Sequence, residues 1–204
     1  RNSNSYTLQG YLRTCGAEPV DIGMVKDRKE QVAAKIEQGL AKADMVITTG
    51  GVSVGDYDVV KEALELLGAE ILYWKIDIKP GSATLAAHKD GKLIIGLSGN
   101  PAAAMVIFQL LVLPVIKKMA GRATYANEKI EVILKKDFRK ESPRRRFLRG
   151  MLVLENGFTY MQTIGGQGNG VLSSMVGCNL LAEIPAGSGP VKSGEKLTAY
   201  LVDC

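Results

Sequence analysis

The sequence predicts an α/β domain built on a mostly parallel, three-layer sheet over residues 1–122, followed by a small β-barrel domain over residues 123–204. Three observations lead there. Short β-branched runs alternate with helical apolar stripes as far as Ala120, the pattern of parallel strands joined by crossover helices. Glycine and proline cluster where those strands end, at Gly50-Gly51, Lys79-Pro80-Gly81 and Gly99-Asn100-Pro101. Beyond Gly121-Arg122 the helical periodicity stops, and short strands separated by turn residues take over.

In chain order, residues 3–14 read as a helix. Ser3 or Asn4 can cap it, Leu8, Tyr11 and Leu12 share a face, and Gly16 suits the left-handed stop. Residues 18–25 read as a strand. Asp27 then caps the next helix, Glu30 completes a capping box, and Val32, Ile36 and Leu40 supply the buried stripe. A strand of the buried, parallel type covers residues 44–49 and runs into Gly50-Gly51-Val52-Ser53-Val54-Gly55-Asp56-Tyr57-Asp58. A helix over 59–67 closes at Gly68, and a strand follows over 69–76. Asp90-Gly91 turns a hairpin between 85–88 and 92–97. Ser98-Gly99-Asn100-Pro101 leads into an apolar helix over 102–120, which Pro114 must kink or re-register. In the second domain, strands fall at 129–136, 146–154, 158–162, 180–184 and 196–202, and residues 165–170 form a glycine-rich loop.

Composition narrows the function. With 46% hydrophobic residues in 204, a packed core is expected and wholesale disorder is not. No apolar run approaches the ~20 residues that span a bilayer, and the polar opening from Arg1 to Ser5 is no signal peptide, so no membrane partner is expected. With no strand before the first helix, the chain is expected to start partway through a larger protein. Cys15, Cys178 and Cys204 are odd in number and far apart, which fits neither a disulfide framework nor a zinc site and points to a reducing cytoplasm. The single histidine, His88, argues against a histidine-based triad. A net charge of +5 favours anionic ligands but is too dispersed for nucleic acid, the Arg139–Arg149 stretch excepted.

Several groups carry chemistry. Gly50, Gly51 and Gly55, with Ser53, follow a strand and precede a helix, so backbone N–H groups and the positive helix end face one spot. Carboxylates at Asp56 and Asp58 would repel a phosphate unless a hard cation bridges them, whereas a plain helix cap also accounts for Asp58. Asp27 follows the predicted strand 18–25, and capping alone would explain it. Lys75 and Lys79 flank the Pro80-Gly81 turn and suit an anion, or else solvate a strand edge. Gly99, Asn100 and Pro101 open a second helix whose start admits a ligand close to the backbone. Arg139, Lys140, Arg144, Arg145, Arg146 and Arg149 can grip oxyanions or form a solvated turn.

Taken together, these residues resemble the molybdopterin molybdenumtransferase (molybdenum insertase) family. The resemblance rests on Asn2-Ser3-Asn4, then residues 21–27, the string from Gly50 to Asp58, Trp74-Lys75, Lys79-Pro80-Gly81 and Gly99-Asn100-Pro101, in that order. Gly166-Gln167, Leu172-Ser173-Ser174 and Asn179-Leu180-Leu181 resemble the family's C-terminal β domain. It implies insertion of molybdate into adenylylated molybdopterin with release of AMP, dependent on Mg²⁺. It further implies that Asp27, Asp56 and Asp58 hold the metal, that Asp27, Asp58 and Lys79 are catalytic, and that Lys75 and Lys79 bind the cofactor with the glycine loops. Only the C-terminal half of a typical member is covered, so homodimer contacts would come from absent N-terminal domains, and a first strand of the sheet is absent too. Ser82, Ala83, Ser98 and Ala103 depart from the family's usual Lys, Pro, Pro and Ser. A molybdopterin adenylyltransferase and a non-catalytic pterin-binding scaffold are the alternatives.

Overall fold

The computed structural model describes residues 3–52 and 58–202. Contacts divide the chain into two units, Arg1–Ile76 with Gly81–Ala104, and Asp77–Pro80 with Met105–Cys204. This division differs from the expected boundary at residue 122. Residues 105–122 group with the second unit, and so does a short strand near residue 78 that pairs with a strand of the barrel.

The first unit contains α1 (Ser3–Thr14), α2 (Lys29–Leu40), β1 (Met45–Thr49), α3 (Val59–Leu66) and β2 (Glu70–Trp74). Strand β3 (Ile78–Lys79) belongs to the second unit. Back in the first lie β4 (Leu85–Lys89), β5 (Lys92–Leu97) and the start of α4 (Pro101–Ile107). Its sheet has the order β1-β5-β4-β2. Strands β1 and β5 pair in parallel, while β4 pairs antiparallel with both β5 and β2, so the described sheet is mixed rather than mostly parallel. The cause is connection length. Asp90 and Gly91, at φ 49° and 79°, reverse the chain in a turn too short for a parallel crossover.

Helices α2 and α3 lay Val32, Ile36, Leu40, Val60, Ala63 and Leu64 against Leu85, Ala87 and Ile94 of the sheet. The alternating residues Ala86, Ile95 and Leu97 are buried as well, so the central strands carry apolar side chains on both faces. Residues 18–25 form no strand. The Asp21 carboxylate accepts the Gly23 N–H at 2.7 Å, and Ser5 and Gln9 donate to its other oxygen, so side-chain bonding turns this segment where a ladder was expected. Asp27 does not cap α2 either. Arg28 is the N-cap, without a side-chain bond, and its carbonyl takes the Gln31 and Val32 N–H groups.

The second unit continues α4 into a π-helical turn at Phe108–Val112 and then α5 (Leu113–Met119). The wide turn accommodates Pro114, which has no N–H to offer the preceding turn. Contrary to the sequence expectation, Pro101–Met119 is long and apolar enough to cross a bilayer by length and composition, although Gln109 and Lys117 interrupt it. Its 61% burial inside the protein is that of a core helix. Strands β6 (Lys129–Leu134), β7 (Arg145–Glu155), β8 (Phe158–Thr163), β9 (Leu180–Ile184) and β10 (Lys196–Leu201) follow. Five of them close a barrel in the order β7-β8-β6-β10-β9, sealed by the β7–β9 pairing, and β3 adds in parallel to β7. Val132, Leu134, Leu148, Met161, Leu180 and Ala199 fill it.

Four residues of the basic run, Arg144, Arg145, Arg146 and Arg149, find partners within this unit. Arg145 donates to both oxygens of Glu183, at 2.6 and 2.8 Å, and the Tyr200 hydroxyl donates to the same carboxylate. Arg146 donates to Ser142 Oγ, and Arg144 pairs with Asp77. Arg149, fully buried, clamps the carbonyls of Gly166 and Gly168, while Gln167 exchanges hydrogen bonds with the Arg149 backbone. The glycine loop after β8 is therefore pinned at its start.

Leu64, fully buried between α3 and the sheet, should cost about 3 kcal/mol when cut to alanine, read as a lower denaturation midpoint of the first unit at unchanged slope. The Arg145 guanidinium holds the Glu183 carboxyl below its ordinary range, the Tyr200 hydroxyl assisting. A depressed folded-state pKa gives stability that is present above the unfolded carboxyl value near about 4.3 and is lost as pH falls through the folded one. The melting advantage of the parent over Glu183→Gln should therefore shrink as the pH drops below about 4. An advantage that grows on acidification would contradict the assigned pairing.

Candidate functional site

Strand direction gathers some of the expected residues on one rim. Because β1 and β5 are parallel and β4 runs against both β5 and β2, the carboxyl ends of β1, β5 and β2 leave the same edge of the sheet. That edge carries Gly50-Gly51 after β1, Ser98-Gly99-Asn100-Pro101 after β5 and Lys75 after β2. Open sheets bind ligands at such an edge.

Gly50 and Gly51 take φ of 81° and 70°, a region closed to most side chains. The Gly50 N–H donates to the Leu97 carbonyl at 3.1 Å, which ties the first loop to the end of β5. A Cβ on Gly99 would stand 3.4 Å from the Gly50 Cα, so the two glycine loops touch backbone to backbone. Asn4 of α1 donates Nδ2 to the Gly99 carbonyl at 3.1 Å and is buried, its Oδ1 finding no partner among the described residues. Sequence reasoning gave Asn4 as a possible cap and as part of the Asn2-Ser3-Asn4 string, with no role at the rim. The available signal was its position four residues before Leu8, on the stripe that faces inward. Gly99 and Asn100 are exposed, and the Asn100 N–H donates to Ser98 Oγ.

Asp58 is only 1% exposed and both its oxygens accept hydrogen bonds. Oδ1 caps α3 by taking the Lys61 N–H at 3.0 Å. Oδ2 takes the Trp74 indole N–H at 2.7 Å. The indole ring in turn lies beneath the Lys75 ammonium, 3.7 Å from the centroid, with Lys61 at 4.7 Å. Lys75 adopts φ of 68°, a conformation that costs a non-glycine residue about 1–2 kcal/mol. Backbone bonds on either side hold it there, Lys75 N–H to Thr84 O and Ile76 N–H to Ser82 O.

The other expected site residues distribute as follows. Asp27 is exposed and precedes the N-cap of α2. Ser53, Gly55 and Asp56 lie outside the described residues. Gly81 is buried at φ 106° in the first unit, with its carbonyl taken by Thr84 Oγ1. Lys79 belongs to the second unit, exposed on β3 opposite Arg146 of β7. Ala83 packs against the core of the first unit and Ala103 is buried, so both departures from the family pattern serve packing here.

Of the three carboxylates expected to hold a divalent ion, Asp56 lies outside the described residues. No group of three carboxylate, histidine or cysteine side chains stands together among them. Asp58, the buried acid, already gives both oxygens to N–H donors, the role of a structural acceptor.

Comparisons with known proteins agree with the fold. Residues 1–118 match the family described as "Probable molybdopterin binding domain", and residues 131–202 match "MoeA C-terminal region (domain IV)". Proteins named molybdopterin molybdenumtransferase from Bacillus subtilis and Staphylococcus aureus are each 34% identical, over 99% and 100% of this chain. The chain spans about half their length, 47% and 48%. A solved structure of a molybdopterin biosynthesis MoeA protein from Pyrococcus horikoshii superposes with a TM-score of 0.81 at 27% identity, over all of this chain and 48% of that one.

From sequence, Asp58→Ala removes only a cap, worth about 1 kcal/mol. With the indole N–H also left unmet in a buried place, the loss should be about 3 kcal/mol. Chemical denaturation checks this, and a loss near that of the cap alone would mean that the indole bond contributes nothing.

Proposed function

The chain belongs to the molybdopterin molybdenumtransferase family, and on that premise we propose that its rim binds the anionic part of a pterin nucleotide. In the intact protein, this binding serves the insertion of molybdate into adenylylated molybdopterin with release of AMP. The observation that carries the reading is the shared direction of β1, β5 and β2, which sets two glycine loops and the Lys75 ammonium along one edge. Backbone N–H groups of Gly51 and Gly99 would meet phosphate oxygens, and Lys75 would offset the charge that develops on an oxyanion as the phosphoanhydride breaks.

Lys79, exposed on β3 of the second unit, is proposed from the family alone as a residue that binds an anionic ligand. No step is routed through Asp27 or Asp58 as metal ligands, because the described residues do not offer such a set. A cytoplasmic setting, in keeping with few and scattered cysteines, and a homodimer as the working form of the whole protein complete the proposal.

The test supplies the intact protein with adenylylated molybdopterin, molybdate and Mg²⁺ and measures AMP. Release is expected, and Lys75→Ala should weaken nucleotide binding about tenfold or more. Binding without release would identify a scaffold, which Ala103, buried where the family carries a serine, would favour. Formation of the adenylylated species from ATP would identify an adenylyltransferase instead.

A further inference from the structure

We propose that Trp74 is a positioning residue, whose ring holds the Lys75 ammonium toward the rim while its N–H is anchored on Asp58. The inference rests on the anion-binding reading of that rim and adds to it the group that fixes where the charge stands.

Lys75 has the indole face as its charge partner, and no carboxylate lies within ion-pair distance of it among the described residues. Lys61, also near the ring, has Glu65 at 3.4 Å. The difference matters chemically. A carboxylate beside Lys75 would cancel its charge before a ligand arrived. A π-face attracts the ammonium without neutralising it and yields it readily to a phosphate.

The backbone reinforces this placement. Lys75 follows Trp74 directly, and its left-handed φ of 68° folds the side chain back over the preceding ring. The ring cannot drift, because Asp58 takes its N–H at 2.7 Å from the first turn of α3. Phenylalanine would offer a face without that anchor. Leucine would offer neither. The competing account is that Trp74, half-buried and packed against the core of the first unit, only fills space.

A double-mutant cycle separates the two. In the intact protein, dissociation constants for adenylylated molybdopterin are measured for Trp74→Leu, Lys75→Met and the pair, with thermal melts to check folding. Trp74→Leu should weaken binding about tenfold, and Trp74→Phe, which preserves shape, about threefold. The pair should bind no more weakly than Lys75→Met alone. A Trp74→Leu loss that persists in full beside Lys75→Met overturns the proposal and leaves Trp74 a packing residue. If Lys75→Met binds like the parent, the anion-site reading itself falls and this inference with it.

A second readout avoids variants that fold poorly. Trp74 is the single tryptophan of these 204 residues, so the emission that the intact protein loses on Trp74→Phe reports on it. Inorganic pyrophosphate should change that emission as the ammonium leaves the ring, and Lys75→Met should abolish the change. A change that survives Lys75→Met also overturns the proposal.

Discussion

The Asp58 carboxylate sits at 1% exposure and must find a donor for each oxygen, which it does on two different elements. The Lys61 N–H comes from the first turn of α3, and the indole N–H from the end of β2. A charge in such a place costs several kcal/mol unless its lone pairs are met, so neither donor can move without leaving the other end exposed to that cost. One short side chain thereby fixes where α3 starts, how Trp74 is oriented and, through the ring, where the Lys75 charge lies.

Strand polarity extends this local constraint into a site. The tight turn at Asp90-Gly91 sends β5 back along β4, and the longer return from β2 to β4 makes a second reversal. Two reversals restore the original direction, so β2 points the same way as β5 and β1. The loops that leave these strands are then neighbours by construction. Glycine at 50 supplies the positive φ with which the first loop turns beside Gly99, where a Cβ would stand at an ordinary contact distance of 3.4 Å. Asn4, reaching from α1 to the Gly99 carbonyl, braces the same loop from behind.

Much of this architecture is visible in the residues, and the misreadings share a cause. The five barrel strands announce themselves through alternation and turn residues, and all five lie within two residues of their expected limits at either end. Residues 18–25 carried strand-like apolar content but no ladder partner, and partnership is a long-range property. The acid at 27 looked like a cap, yet Arg28 holds that position, an ambiguity of one residue that local rules leave open. Asp58 was legible as a cap from its place before a helix, whereas its indole donor lies sixteen residues onward and depends on how β2 meets α3. Arg149 shows the same gap in reverse. Charge counting left it between an oxyanion grip and a solvated turn, and the fold buries it completely behind the loop whose carbonyls it holds.

The brief strand β3 has an implication for anyone wishing to dissect the molecule. Drawn from Asp77–Pro80, it is hydrogen-bonded to β7 while the chain on both its sides belongs to the first unit. The polypeptide therefore passes from one unit to the other three times, at residues 76/77, 80/81 and 104/105. No single scission can release both units whole: severing the chain at 104 yields a barrel stripped of the strand beside Arg145 and Arg146, and severing it at 76 takes the hairpin out of the sheet.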